Sequence, residues 1–471
     1  MPEIPTIIAA VKAISNSLTA ETLVSYSLSL LEGFLSRGLR IVAYAADGST
    51  VERSIQALLV LKAKKKRITT FQHPRNGSAI TLEIPLFGEN SDQPVVMIQD
   101  SQHGCKTARN ATFSGARMLI LGNYPVIFED LRRLAMEGGP LFNRDVEKLD
   151  RQDDNAAIRL FSGDALQWLV EKYPELLGPI TYLFIFGELI DAYQNRHLKH
   201  AERVKMVFRA QFFIETWEQF LDSSRYLKGK YFLSKEACGI MKTLIQGFVN
   251  LVLVYRDLPS VYPLLPWLLS TEVCEHVFGL CRQILADFTI LDFYYMVPKL
   301  FVRLREAVLF RTHSEGKERA NGYNHLYHDT RDIDLNSLST YPSDLEIKTA
   351  IQSAYEESEN LWHLLGFSYD LSESDPDPEV TRLPTISSWL SSPESDLCNP
   401  MPSSEDSIDS DYENDVDEDA PQNEIVSESR DITFVIDSLE KVNLPSFDEE
   451  DKVNNLVYAS VSLSVNDSMG M

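Results

Sequence analysis

The sequence predicts an α/β core interrupted by a large all-α block, mostly helical overall, with a disordered acidic C-terminal tail. Three observations carry this. Up to about Val126, short β-rich runs ending in acidic residues alternate with helical periods; from there to Phe310 the apolar spacing is helical throughout; beyond Gly366 the composition turns to Ser, Pro, Asp and Glu. The divisions expected are 1–130, 131–265, 266–366 and 367–471.

Thr19 to Leu35 reads as a helix with Leu23, Leu28, Leu30, Leu31 and Phe34 on its apolar face, ended by Gly38. Leu39 to Ala46 reads as a strand that stops at Asp47-Gly48. A helix follows from about Ser49 to Lys66, where Lys62 to Arg67 form a positive cluster suited to a helix C-terminus, with a nuclear-import or phosphate-contact patch as the other reading. Ile68 to Gln72 and Ala79 to Pro85 are expected strands joined across Pro74 to Gly77. The apolar run Pro94 to Gln99 is another strand, and a helix starts near Ser101.

Leu166 to Tyr173, Ile180 to Tyr193, Ala201 to Leu221 and Lys235 to Tyr255 supply the all-α block, closed by Pro259, Pro263 and Pro266. Helices are expected again over Ser270 to Phe310 and Asp344 to Leu365. In the tail, too little apolar area is available to offset chain entropy. Its apolar runs, Ile432 to Leu439 and Leu456 to Val465, read as transient structure or docking peptides.

At 471 residues and 44% hydrophobic, the chain can bury at least one large core. Its net charge of -25 is concentrated in the tail: about -22 lies beyond Gly366 and about -3 before it. The folded part therefore lacks the dominant basic surface of an autonomous nucleic-acid binder. The five cysteines are scattered without a Cys-x-x-Cys pair, which fits a reducing compartment and argues against a disulfide framework or zinc module. Leu244 to Tyr255, interrupted by Gln246 and Asn250, falls short of the roughly 20 residues of a membrane span. A soluble intracellular protein with no membrane partner is expected.

The chemistry-bearing stretch is Asp100-Ser-Gln-His103-Gly-Cys-Lys106-Thr-Ala-Arg109-Asn110, directly after a buried-type strand. On a helix, His103, Lys106 and Asn110 share a face beside the strand's carboxyl end, where open α/β sheets bind ligands. The plainer reading is a capped helix start with a solvated basic face. Asp47 ends another strand, and Glu272 and Glu275 lie on a later helix. Carboxylates on separate elements are what a two-metal nuclease needs, because Mg²⁺ prefers oxygen ligands. Cys274 and Cys281 share one helical face and read as buried thiols, and Phe293-Tyr-Tyr295 as packing against the helical block.

These residues resemble the P-element-like (THAP-type) DDE transposases. Val42 to Gly48 is similar to the family's strand ending in its second catalytic Asp, here Asp47. Asp100 to Asn110 resembles its Asp-x-x-His-x-x-Lys-x-x-Arg-Asn signature, which makes Asp100, His103, Lys106, Arg109 and Asn110 supporting residues. Asp154 to Ser162 is similar to the segment entering its helical insertion domain. Thr271 to Phe278 is similar to the helix with the final catalytic Glu, which makes Glu275 a metal ligand beside Asp47 and puts Glu272 where the family has Asp. The resemblance implies a partial RNase H-like core, Mg²⁺ if the protein is active, and GTP in the helical insertion, although no Gly-x-x-x-x-Gly-Lys-Ser/Thr loop is present.

The pattern departs from the family upstream. Nothing before Asp47 supplies its first Asp, since Glu21 and Glu32 lie on an expected helix. The expectation is an N-terminally truncated, transposon-derived remnant in the nucleus, without cleavage activity, acting through DNA or through related transposase subunits or self-association. The alternatives are an active Mg²⁺-dependent transposase or nuclease completed from outside this sequence, and a helical interaction scaffold.

Overall fold

The structure, a computed structural model, describes residues 8–11, 19–113, 117–147, 150–309 and 333–368. The acidic tail with its runs at 432–439 and 456–465 lies outside them. Helix α1 (Ala20–Leu35) buries Val24 and Leu31. Strand β1 (Ala43–Ala46) occupies only the second half of the expected run. Helix α2 (Thr50–Lys62) is capped by Ser49, whose Oγ accepts from Glu52 N at 3.3 Å.

Strands β2 (Lys65–Gln72) and β3 (Ala79–Phe87) form the expected hairpin. The chain returns as β4 (Gln93–Pro94) and, one residue later, β5 (Val96–Gln99). Val95 N still donates to Pro85 O at 3.1 Å, so β4 and β5 continue one path. β5 then pairs in parallel with β1, from Ala43↔Val96 to Ala46↔Gln99. That register sets Asp47 and Asp100 at the same end of adjacent strands.

Alternate residues of the β4–β5 path face opposite sides. Val95 joins Phe87 and helices α1 and α2, through Val24, Leu31, Ile55 and Leu59. Val96 and Ile98 join the main core, which is continuous from Phe71, Ile80 and Leu82 into the helical part.

Helix α3 (Ser101–Phe113) follows β5. A small hairpin, β6 (Leu119–Leu121) with β7 (Tyr124–Val126), comes next. Sequence reading missed it because each strand has three residues, and Leu119, Ile120 and Leu121 are all buried, so no alternation shows.

The helical part comprises α4 (Phe128–Met136), α5 (Asn143–Glu147), α6 (Asp154–Leu160), α7 (Gly163–Lys172), α8 (Leu177–Gln194), α9 (His200–Ser223), α10 (Lys228–Tyr231) and α11 (Lys235–Arg256). Helix α8 is buried on nearly every side, as a central helix must be when it is apolar all round. Helix α11 is 22 residues long, and by length and composition alone it could cross a membrane. Here it is a core helix: Leu244, Phe248, Val249, Leu251 and Val252 are fully enclosed. After a 3₁₀ turn at Pro266–Leu268 come α12 (Glu272–Ile284), α13 (Ile290–Leu309) and α14 (Asp344–Leu364), the last opened by a Ser343–Glu346 capping box.

Helix α14 is tied to α8 and α9 by a buried ion cluster. Arg209 donates to Glu357 Oε2 through Nε at 2.6 Å and also contacts Glu188, while Lys205 lies 3.4 Å from Glu357 Oε1. Burial pushes the Glu357 carboxyl up, but Arg209 and Lys205 outweigh it and hold the group below its ordinary value.

Three sequence expectations need correction. Of the basic cluster, only Lys62 belongs to a helix; Lys65, Lys66 and Arg67 lie on β2, where Lys66 Nζ meets Glu83 at 2.7 Å and Arg67 meets Asp257. Pairing along β3 wins over another turn of α2. Cys281 is buried, but Cys274 is exposed. Of Phe293, Tyr294 and Tyr295, only Phe293 is buried, and it packs with Val277 and Cys281 of α12, whereas both tyrosines face outward.

Candidate functional site

Asp100 is the centre of the site. The residue is 1% exposed, and each carboxylate oxygen has its own task. Oδ1 caps α3, accepting from Gln102 N at 2.8 Å and from His103 N at 3.4 Å. Oδ2 accepts from both the backbone N and the Oγ1 of Thr271, each at 2.8 Å. One side chain thus fixes the end of β5, the start of α3 and the start of α12. Burial alone would raise its pKa, but the contact with His103 and the Thr271 donors prevail and hold it below the usual aspartate value.

Asp47 follows the neighbouring strand. Its Oδ1 accepts from Ser49 N at 2.8 Å, closing a tight turn through Gly48, whose φ is 88°. A Cβ at Gly48 would lie 2.9 Å from Gln99 Oε1 and 3.0 Å from Ile240, so both conformation and space demand glycine there. Gln56 stitches the two strands from α2: its Nε2 donates to Ile98 O at 2.8 Å and Tyr44 O at 3.2 Å, and Gln99 Nε2 donates to its Oε1 at 2.6 Å.

His103 lies between two carboxylates. Nδ1 is 3.8 Å from Asp100 Oδ2, and Nε2 is 3.6 Å from Glu275 Oε1. Burial favours its neutral form and Lys106 repels its charge, yet Asp100 and Glu275 together raise its pKa. The first turn of α12 also brings Glu272 next to α3, where Gln102 Nε2 donates to Glu272 Oε2 at 3.3 Å. Gln194 Nε2, from α8, donates to Ser101 Oγ at 2.7 Å.

The remaining residues of the motif point toward α5, the start of α6 and the residues just before it. Lys106 Nζ meets Asp154 Oδ1 at 2.9 Å. Arg109 donates to Asp150 O at 2.9 Å and Asp145 O at 3.1 Å, while Asn110 Nδ2 donates to Arg151 O at 3.1 Å. Asp145 in turn takes Arg159 in a bidentate pair at 2.7 and 2.9 Å. One face of α3 therefore holds α12 through His103 and the 145–154 segment through Lys106 and Asn110. This is the helical spacing expected from the sequence.

Glu272 has the most perturbed carboxyl of the site. Burial, followed by repulsion from Asp100, Glu275 and Asp154, pushes its pKa up to about 7, with Arg196 opposing. The folded state therefore holds a proton there that the unfolded chain releases above about pH 4.5, so ionising Glu272 removes stability as pH rises from about 4.5 to 7. Glu272→Gln should raise the melting temperature at pH 8 by a few degrees, on the order of 1–3 kcal/mol, and change it little at pH 5. An equal shift at both pH values would contradict this placement of the proton.

The structure thus gathers Asp100, His103, Glu272 and Glu275 at one strand end, with Asp47 on the adjacent strand. Sequence reading did not single out Gln102, Gln194 or Arg196, and no spacing signal marks them. Thr271 and Asp154 were visible only as members of longer segments. Among the described residues, no group of three or more His, Cys, Asp or Glu side chains is arranged to hold a metal ion.

No protein-family model matches the chain, and no curated protein matches it in sequence. Among solved structures, the chain is similar to one described as the "Drosophila P element transposase strand transfer complex", at a TM-score of 0.39 and 15% identity. That neighbour is a transposase. The match covers 63% of this chain and 65% of the other, so the chain spans just under two thirds of the neighbour's length.

Proposed function

We propose that this chain is a transposon-derived relative of the P-element-like transposases, with a partial RNase H-like core, that acts in the nucleus by binding DNA or another transposase subunit. What supports the reading is one juxtaposition. The Asp100–Asn110 segment and the Glu272–Glu275 turn, both singled out by their resemblance to that family, meet at the carboxyl end of a parallel strand pair across a 170-residue separation.

In this reading the protein has no cleavage activity of its own. Its acidic groups are already engaged by the protein: Asp100 by Thr271 and the α3 backbone, Glu275 by His103, and Asp154 by Lys106. These carboxylates act as links between elements. GTP binding remains an implication of the resemblance, with no residue assigned to it.

One observation favours the second reading, an active Mg²⁺-dependent enzyme. Glu272 is pushed up first by burial and then by three neighbouring carboxylates, and a divalent cation would relieve the carboxylate repulsion. Asp47 and Glu275 would be its ligands, completed by a third carboxylate.

The full chain should be incubated with duplex DNA and either Mg²⁺ or Mn²⁺ at several salt concentrations. The proposal expects salt-dependent binding without strand scission, and no metal-dependent rise in melting temperature. A divalent ion bound at a hundredfold excess over its Kd would add about 2.7 kcal/mol of stability. Scission that disappears in Asp47→Ala or Glu275→Ala would overturn the proposal in favour of the enzyme. Absence of both DNA binding and scission would leave binding to another transposase subunit or the helical scaffold.

A further inference from the structure

Helix α13 is apolar on two opposite faces, and among the described residues only one of them is packed against another element. Phe293, Met296, Leu300 and Leu304 pack against Val277 and Cys281 of α12. Roughly half a turn away, Leu291, Tyr294, Tyr295, Phe301 and Val302 are 39–75% exposed and form a stripe along the helix. A single exposed apolar residue needs no explanation, but a contiguous stripe of five along one helix marks a binding surface.

Lys299, Arg303 and Arg305 accompany this stripe, are exposed, and form no ion pair among the described residues. The surface therefore suits an acidic amphipathic partner. The chain carries such a segment: Asp431-Ile-Thr-Phe-Val-Ile-Asp-Ser-Leu-Glu440. Ile432, Val435, Ile436 and Leu439 follow the i, i+3, i+4, i+7 spacing of a helix that docks along an apolar surface, and Asp431, Asp437 and Glu440 supply the opposite charge.

We infer that the 431–440 segment docks in cis on the outer face of α13. Ser368 and Asp431 are joined by 62 residues, and a random coil of 62 residues would span roughly 45 Å on average. Tethering keeps the segment at an effective concentration near the millimolar range, so modest affinity suffices. The acidic tail then covers an apolar surface of its own chain, and a DNA or protein partner must compete with it there.

Hydrogen exchange on the full chain tests this. The variant Ile432→Ser/Val435→Ser/Ile436→Ser lies outside the described fold and keeps the tail's charge. Exchange over Ile290 to Leu304 should be at least about tenfold faster in it than in the parent. Lys299→Glu/Arg303→Glu should speed exchange similarly, and adding Asp437→Lys/Glu440→Lys should restore protection. Unchanged exchange in the tail variant would overturn the inference. So would protection that grows with protein concentration alongside a monomer-to-dimer change in sedimentation, which would assign the face to a second copy.

Discussion

Replacing Arg209 by Met is expected to cost about 3–5 kcal/mol. Arg209 is 3% exposed, and its carboxylate partners Glu188 and Glu357 are 7% and 5% exposed. Without the guanidinium, two buried carboxylates on α8 and α14 face each other with Lys205 as the remaining cation at Glu357. The loss is repulsion and uncompensated desolvation rather than a missing contact, so Arg209→Met/Glu188→Gln/Glu357→Gln should recover much of it. Chemical denaturation of the three proteins reads the difference directly. Because the Glu357 carboxyl is depressed in the fold, its contribution is present above about pH 4.5 and disappears as pH falls through the depressed value. Equal midpoints for Arg209→Met and the triple variant would refute the repulsion argument.

Asp100→Ala is expected to cost a similar amount, about 3–5 kcal/mol, and to release α12 from the sheet. Four donors lose their acceptor together: the N–H groups of Gln102, His103 and Thr271, and the Thr271 hydroxyl. His103 also loses a counter-charge while Lys106 stays, so its pKa should fall, which NMR titration of the ring can follow. Asp100→Asn offers a sharper control. It keeps an oxygen for the α3 cap but turns an amide N–H₂ toward the Thr271 N–H, donor against donor. The stability contributed by Asp100 is present above about pH 3.8 and is lost as pH falls through its lower folded value. A His103 titration that does not move in Asp100→Ala would show that the imidazole takes its charge from elsewhere.

Much of this arrangement was legible before any coordinates. The periodicity of Asp100 to Asn110 gave the shared face of His103, Lys106 and Asn110, and the apolar run before it gave the strand. The parallel pairing of β1 with β5 was not legible, because pairing partners 53 residues apart leave no local pattern. The basic run misled for a related reason: Lys65, Lys66 and Arg67 suit a helix end by charge, but pairing with Ile84, Pro85 and Leu86 of β3 holds them on β2, where Lys66 meets Glu83 and Arg67 meets Asp257. Polar residues such as Gln56, Gln102 and Gln194 carry no signal of their own. They matter because a strand end and two helix starts expose backbone and carboxylate groups that need partners.

The Asp100–Thr271 junction also sets an order of events in folding. The two residues are 171 positions apart, and closing a loop of that size costs on the order of 4–5 kcal/mol of chain entropy. The turn through Asp47, the α2 stitching and the α3 cap are local and need no such closure, so they can form while the helical block is still assembling. The junction is expected to close late, once that block has brought its two ends together. A nascent or cleaved chain that stops before residue 271 carries Asp100 and His103 but not Glu272 or Glu275. The four-residue cluster marks a finished molecule.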